Sequence, residues 1–472
     1  MRSHIIHFLC LLSLTGCVNY ANIHGDAKPL DDNMLNSSYR LGTHAKVVAD
    51  TSHDWWLIYQ DPQLNKLINT ALANSPSLQI AQSRLATARH IAEAAGASLW
   101  PQLDASGEIQ RERLTENTFF PPPYGGNTYT ETNVGLNFNY EFDFWGKNHS
   151  IIAARTSTAQ AYHAEVAQAR LILAAAISSN YFQLQYENSA LALNVAIVKQ
   201  REALLKIIRV RSSHGVVSDI PVTTANADYQ GARMNIVDLR QQIQITTHKL
   251  AALMGQNPLT TEISAKKFVY NKNVLRLPKV LRANLLARRP DIIASRWRME
   301  SAASLVRASK ARFYPNINLI GLLSYQSFIL KKSFDSGSRD SYVGAAIDLP
   351  IFDAGQRRAN LRTQYAEYDT AVEQYNQTIL TALRDVADQV TILSALRAQE
   401  VDQNNAVTAT QKNYDLTRSR FKNGIVDYAD VLEIEGTLLD QKYKQTQLQA
   451  QHLKTTVAMI KALGGNYLSI EG

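Results

Sequence analysis

Cysteine is nearly absent. The 472 residues contain two, Cys10 and Cys17. So few thiols give no disulfide framework and no Cys-based metal site. Beyond the N-terminus there is no run of about 18 apolar residues, so no transmembrane helix is expected there. Nucleophile elbows, phosphate-cradling glycine loops and metal-ligand spacings are also missing. His149, His163, His214 and His248 are scattered, and the six methionines form no thioether cluster. These absences argue against an enzyme, a metal site and a cofactor. The net charge of +8 is modest, and no dense Lys/Arg block is interleaved with aromatics. Nucleic acid is therefore not an expected partner. The most informative shortage is local: Lys147 to His214 and Gln356 to Asn423 contain neither glycine nor proline.

Those two residue types punctuate helices, so each stretch predicts one very long helix, over 147–213 and 356–422. At 1.5 Å rise per residue each would span roughly 100 Å. In the first, Ile177, Leu184, Leu191, Val198 and Leu205 recur every seven residues. In the second, Tyr368, Val372, Tyr375, Ile379, Leu383, Val386, Val390 and Leu393 step by three and four. Both are the knob spacing of coiled helices. An ordinary long coiled coil would share this pattern.

The N-terminus reads as a signal peptide over residues 1–16. Arg2, His4 and His7 precede the apolar run Phe8 to Leu14. The Leu14-Thr15-Gly16-Cys17 that follows resembles a bacterial lipoprotein signal, with Cys17 as the lipidated residue. Val18, rather than Asp, follows the cysteine, which favours the outer membrane. Cys10 would leave with the peptide and Cys17 would be blocked by its acyl chains. Residues 17–61 read as a polar leader arm.

Helices are expected from Pro62 and Pro76. At Pro101 the periodicity changes. Leu103, Ala105, Gly107 and Ile109 alternate with Asp104, Ser106, Glu108 and Gln110; Val134, Leu136, Phe138, Tyr140 and Phe142 alternate with polar residues. Around ten residues with one apolar side is the length of a tilted membrane strand. A soluble amphipathic hairpin would show the same alternation. A helix over 219–254 returns from the first long one, and a connector over 259–281 leads to a second copy of the pattern. Gly146 and Gly355, Gly215 and Gly424, and Gly255 and Gly464 are each 209 positions apart. The repeat units read as 62–258, with a hairpin at about 102–143, and 282–465, with a hairpin at about 316–349 and helices over 356–422 and 428–463. A tail over 466–472 follows. Four strands cannot close a membrane barrel, and open edges are not tolerated in lipid, so closure demands several copies of the chain.

Ordered motifs run through the chain: Trp55-Trp56 with Asp61-Pro62, Leu64, Ala71-Leu72 and Asn74; Arg288-Arg289-Pro290-Asp291-Ile292 and then Phe313-Tyr314-Pro315; Asp348 to Gly355; and Gly424 with Asp427-Tyr428 and Asp430-Val431-Leu432-Glu433. By these the chain resembles the TolC-like outer-membrane efflux factors, in the lipoprotein (OprM-like, NodT-type) branch that serves tripartite RND drug pumps. The resemblance implies a mainly α fold with a β-barrel part. Four strands per chain would complete a twelve-stranded transmembrane barrel in a homotrimer, above a long α-helical barrel with an equatorial belt. It implies a passive exit duct that works with a periplasmic adaptor and an inner-membrane RND transporter, anchored in outer-membrane lipid through Cys17. The exit duct of a type I secretion system, or a non-conducting coiled-coil lipoprotein, are the alternatives.

In that family acidic rings narrow the periplasmic end, and the matching positions here are Asp430 and Glu433. Rings of carboxylates favour cations. A solvated acidic face at a helix N-terminus is the plainer reading of the same residues. Where the family often has a basic latch residue, this chain has Ile425 and Val426; Arg418 and Arg420 are the substitutes at hand. The turns at Gly215 and Gly424 would face the adaptor, with Asp219 and Asp427 capping the returning helices.

Overall fold

The computed structural model of the chain describes residues 20–30, 38–40, 47–48, 54–117, 119, 123–263, 270, 280–282, 288–465 and 468–469. The signal stretch and Cys17 lie outside the described residues. In chain order the elements are β1 (Ser38–Arg40), β2 (Val47–Val48), α1 (Pro62–Asn74), α2 (Pro76–Gly96), β3 (Gln102–Arg113), β4 (Thr128–Phe142), α3 (Lys147–Ser213) and α4 (Asp219–Leu253). Then come β5 (Val280–Arg282), α5 (Pro290–Ala311), β6 (Asn316–Ser327), β7 (Arg339–Asp348), α6 (Gln356–Lys422), α7 (Tyr428–Ala462) and β8 (Leu468–Ser469). Both α3 and α6 are 67 residues long, and α4 and α7 are 35. The 209-position offset relates both ends of each pair. Among the described residues no helix is long and apolar enough to cross a membrane.

Spatially the chain divides into two compact units that cut across the sequence repeat. One comprises Met1–Pro29, Arg84–His163 and Ala294–Asn376; the other comprises Leu30–Ser83, Ala164–Ile293 and Gln377–Gly472. Each takes segments from both copies, so the boundaries at 62–258 and 282–465 mark the repeat and not the folded bodies. The physical reason is that the hairpins pair with each other, and the helices likewise.

The first unit holds one antiparallel sheet in the order β3-β4-β6-β7. Register aligns the apolar residues across all four strands: Leu136 stands opposite Ala105 and Leu323, and Phe142 opposite Ile317, which pairs with Ile347. On the other face, Glu131 accepts a hydrogen bond from Gln110 (2.8 Å) and another from Gln326. Among the described residues, nothing pairs with the outer edges of β3 and β7. A small core gathers Ile23, Val306, Phe313 and Leu361. The arm around Ile23 is held to α6 by Asp369, whose carboxylate accepts the Asp26 and Ala27 N–H groups at 3.1 Å each.

The second unit has the larger core, with Trp55, Trp56, Leu64, Ile68, Tyr181 and Met459 almost wholly buried. Asp61 starts α1 by accepting the Gln63 and Leu64 N–H groups (2.9 and 3.2 Å), with Pro62 at the first helical position. Its second oxygen accepts the Tyr181 hydroxyl at 2.7 Å. The leader, connector and C-terminal tail meet in two short sheets, β1 with β5 and β2 with β8. Tyr270 in the connector donates to Glu400 at 2.6 Å and lies 2.5 Å from His452 Nδ1. Gly255 closes α4 at φ +69°, where a Cβ would stand 2.4 Å from the Asn74 carbonyl oxygen. Arg289, 8% exposed at its side chain, grips Asp291 with two N–H groups (3.0 and 2.7 Å) and donates to Ala462 O at 2.9 Å. Its guanidinium also stands 3.6 Å from Asp385.

Candidate functional site at the distal turns

The two long helices end in the same way. Gly215 N–H donates to Ser212 O and Val216 N–H to Arg211 O, both at 2.9 Å. In the second copy Gly424 N–H donates to Phe421 O and Ile425 N–H to Arg420 O, again at 2.9 Å. The glycines have φ of 72° and 71°, and a Cβ on either would meet nothing within 4 Å. Left-handed backbone, rather than lack of space, therefore selects glycine here.

The returning helices start differently. Asp427 caps α7: its Oδ1 accepts the Ala429 N–H at 2.8 Å, and its own N–H donates to Asp430 Oδ2 at 3.2 Å, closing a capping box. Asp219 has no such role. The N-cap of α4 is Ser218, whose side chain makes no capping bond, and Asp219 is the first helical residue. It accepts the Ser212 hydroxyl instead, at 2.9 Å. The expectation that both aspartates cap thus holds for Asp427 only. One position decides it, because the N-cap side chain must precede the helix.

Asp430 and Glu433 are exposed in the first turns of α7, three residues apart and so on one face. Asp430 spends one oxygen on the cap. Among the described residues, the Glu433 carboxylate has no hydrogen bond or ion pair. Arg418 and Arg420 are exposed, and neither makes a side-chain hydrogen bond or ion pair among the described residues. Among the described residues, the cation that reaches Asp427 within the chain is Arg211, at the end of α3, whose Nη2 stands 2.5 Å from Asp427 Oδ2. Sequence reasoning missed it, since the partners are 216 residues apart. A signal was present: the offset pairs Arg211 with Arg420, so both long helices carry arginine at one position.

Arg211 is one of several ties between α3 and α7. Gln200 Nε2 donates to Leu432 O at 2.7 Å; Tyr186 and Tyr443 join through their hydroxyls at 3.2 Å; Lys454 donates to Gln183 Oε1 at 2.9 Å. Gly436 allows the close approach, since a Cβ there would lie 3.2 Å from Gln200.

Partial desolvation raises the Asp427 carboxyl, but the Arg211 hydrogen bond, the Ala429 N–H and the Arg211 charge outweigh it and hold it below the ordinary carboxylate range. A carboxyl depressed by folding contributes stability above its unfolded pKa of about 3.9 and loses it as pH falls through the lower folded value. Exchange of the Ile425 to Ala429 amides, corrected for the intrinsic pH dependence, should therefore stay slow at pH 5 and quicken below about pH 4. Arg211→Ala should raise exchange already at pH 5 and flatten this pH dependence, because the folded carboxyl then lies closer to its unfolded value. A pH dependence unchanged in Arg211→Ala removes the ion pair as its cause.

A model of the family described as outer membrane efflux protein matches residues 67–256 and 281–465. The putative multidrug resistance outer membrane protein MdtQ of Escherichia coli (strain K12) is 30% identical over 470 residues, covering 98% of this chain and 97% of its own length. The multidrug resistance outer membrane protein MdtP of the same strain is 29% identical over 422 residues, covering 88% and 86%. Among solved structures, the outer membrane protein VceC of Vibrio cholerae superposes with a TM-score of 0.77 at 33% identity, over 88% of this chain and 98% of that one. The outer membrane channel CmeC of Campylobacter jejuni shares the fold, with a TM-score of 0.83 at 22% identity over 94% and 95%.

Proposed function

This chain belongs to the outer membrane efflux protein family, and from that premise we propose that it is the outer-membrane exit duct of a tripartite efflux pump, passing drugs or other small toxic compounds to the exterior. The observation that carries this reading is the four-stranded sheet with one apolar face in register and two open edges. In lipid such edges must be paired, and further copies of the same sheet supply the partners. Three copies give twelve strands and a bore; two give eight and almost none. The working form is a homotrimer with its lipid on Cys17, its strands in the outer membrane and its helices in the periplasm.

Conduction is passive. The duct has no energy source of its own, and drive comes from an inner-membrane transporter through a periplasmic adaptor. The distal turns at Gly215 and Gly424 receive the adaptor, and Asp430 and Glu433 form acidic rings that narrow the entrance. Cross-linking in cells from Asn423→Cys, beside the Gly424 turn, tests the partnership. Cys17 is acylated in this reading, so the introduced thiol is the one that reacts. Capture of an adaptor belonging to a proton-driven transporter is the expected result. An adaptor belonging to an ATP-driven exporter would move the function to protein secretion, and no periplasmic partner would remove the tripartite reading.

A further inference from the structure

Charge is sorted between the two faces of the four-stranded sheet. On β3, Leu103, Ala105, Gly107 and Ile109 alternate along the apolar face, and Arg111 and Arg113 continue the same row to the hairpin end. The register places Gly107 opposite Val134, Val134 opposite Tyr325 and Tyr325 opposite Arg339, the first residue of β7. All three arginines of this sheet therefore stand on its apolar face, each at the hairpin end of its strand. Every aspartate and glutamate of the sheet, from Asp104 to Asp348, stands on the other face. The β6–β7 loop adds two more cations to the apolar side. Ser333 Oγ lies 2.7 Å from Thr132 Oγ1, and Phe334 packs on Tyr325 with ring centroids 6.0 Å apart; Thr132 and Tyr325 both belong to the apolar face. This loop exposes Lys331 and Lys332 between Leu330 (61% exposed) and Phe334 (72%). Among the described residues, the side chains of Arg111, Lys331, Lys332 and Arg339 make no hydrogen bond or ion pair. Arg113 donates to Gly126 O at 3.1 Å and stands 3.7 Å from Glu116.

We propose that Arg111, Lys331, Lys332 and Arg339 form a collar that binds the phosphate groups of lipid in the outer leaflet. The proposal rests on the reading above that the sheet spans the outer membrane with its helices in the periplasm. Each strand is joined to a helix at one end and to a hairpin at the other, so the hairpin ends face the exterior. Leu103 and Arg113 are ten positions apart. At ~3.4 Å rise per residue and a tilt of ~40° that is a height of roughly 25 Å, the height of the apolar band of a membrane barrel. The apolar rows thus cross the hydrocarbon while the cations reach the level of the headgroups. Arginine on a lipid-facing surface is costly at the midplane and nearly free at the interface. Water contact alone gives no reason for the sorting, since the polar face is equally open to water and carries no cation on its strands. Anionic headgroups do give a reason. They supply the counter-charge that these four side chains lack within the chain, and a guanidinium takes a phosphate through two parallel hydrogen bonds. Leu330 and Phe334 would sit beside the phosphates, at the boundary with the acyl chains.

The full lipidated protein, purified in a neutral detergent, is titrated with bis-phosphorylated lipid A and with the same lipid stripped of both phosphates. Bound lipid is counted by native mass spectrometry. The phosphorylated lipid should bind at least about ten-fold more tightly. Arg111→Gln, Lys331→Gln, Lys332→Gln and Arg339→Gln together should erase that difference. Arg111→Lys with Arg339→Lys should keep part of it, since the charge stays and the fork is lost. Inorganic phosphate at the concentration of the lipid should leave the bound lipid in place. Equal binding of the two lipids by the parent, or an undiminished preference in the four-site variant, overturns the proposal. Displacement by inorganic phosphate overturns it too, and assigns a free anion to the collar instead. Should the four-site variant fail to fold, the parent's two lipids and the lysine variant still decide. Conductance of the parent in a planar bilayer separates this proposal from the reading it rests on. A parent that conducts but shows no preference for the phosphorylated lipid refutes the collar alone; one that never inserts refutes the duct, and the collar with it.

Discussion

Arg289→Ala should lower the unfolding free energy by about 3–5 kcal/mol, the range for breaking a buried ion pair from one side. The guanidinium is nearly buried and serves three elements: Asp291 in the first turn of α5, Asp385 on α6 and the Ala462 carbonyl at the end of α7. Removal strips Asp291 of its counter-charge, leaves Asp385 with Arg384 alone, and leaves a carbonyl without its donor. Alanine also leaves a void where the fork lay. Arg289→Lys should lose less, because it keeps the charge but replaces a two-pronged grip on Asp291 by a point charge. The guanidinium chloride midpoint of the detergent-solubilised protein, followed by far-UV circular dichroism, reads both. Equal midpoints for the alanine variant and the parent would remove Arg289 as the tie between these three elements.

In the proposed trimer, neutralising Asp430 and Glu433 should reduce the cation preference of conduction. At ~10 Å in water one carboxylate attracts a monovalent cation by about 0.4 kcal/mol, and six act together at roughly 2.5 kcal/mol. Screening at 0.1 M salt cuts this to about 1 kcal/mol, a preference of roughly five-fold. Asp430→Ala would also break the capping box, so Asp430→Asn with Glu433→Gln is the cleaner variant; the amide oxygen can still accept the Asp427 N–H. The reversal potential across a potassium chloride gradient should move towards zero. Where mutual repulsion shapes the closed entrance, conductance should change as well. A reversal potential identical to that of the parent would remove both residues from the permeation path.

Much of the fold was legible because glycine and proline act locally. Pro62, Pro76 and Pro290 open α1, α2 and α5, and the turns at Gly215 and Gly424 close the long helices α3 and α6, since only glycine adopts their backbone without cost. Strand alternation was equally local, and the register kept Leu103, Leu136, Leu323 and their neighbours on one face. From the long helices onward the repeat was visible as a constant spacing of 209 positions. What escaped depended on distance in sequence. Arg211 meets Asp427 only after the two copies are brought side by side, and no local pattern in α3 announces that contact. Asp219 was misread because Ser218 occupies the capping position. The division into two spatial units was hidden for the same reason as Arg211: pairing between copies, rather than order along the chain, decides which residues share a core.

That interleaving also governs how the protein comes into being. The central strand pair joins Thr132 to Ser327, 195 residues apart, and neither compact unit is complete until segments of the second copy have arrived. Pairings so distant form slowly, because the intervening chain must first be drawn together. A nascent chain that has delivered only its first hairpin carries unsatisfied strand edges and an apolar face, the features that invite aggregation. On the route to the outer membrane such a chain stays exposed to that hazard until its last helices have been exported.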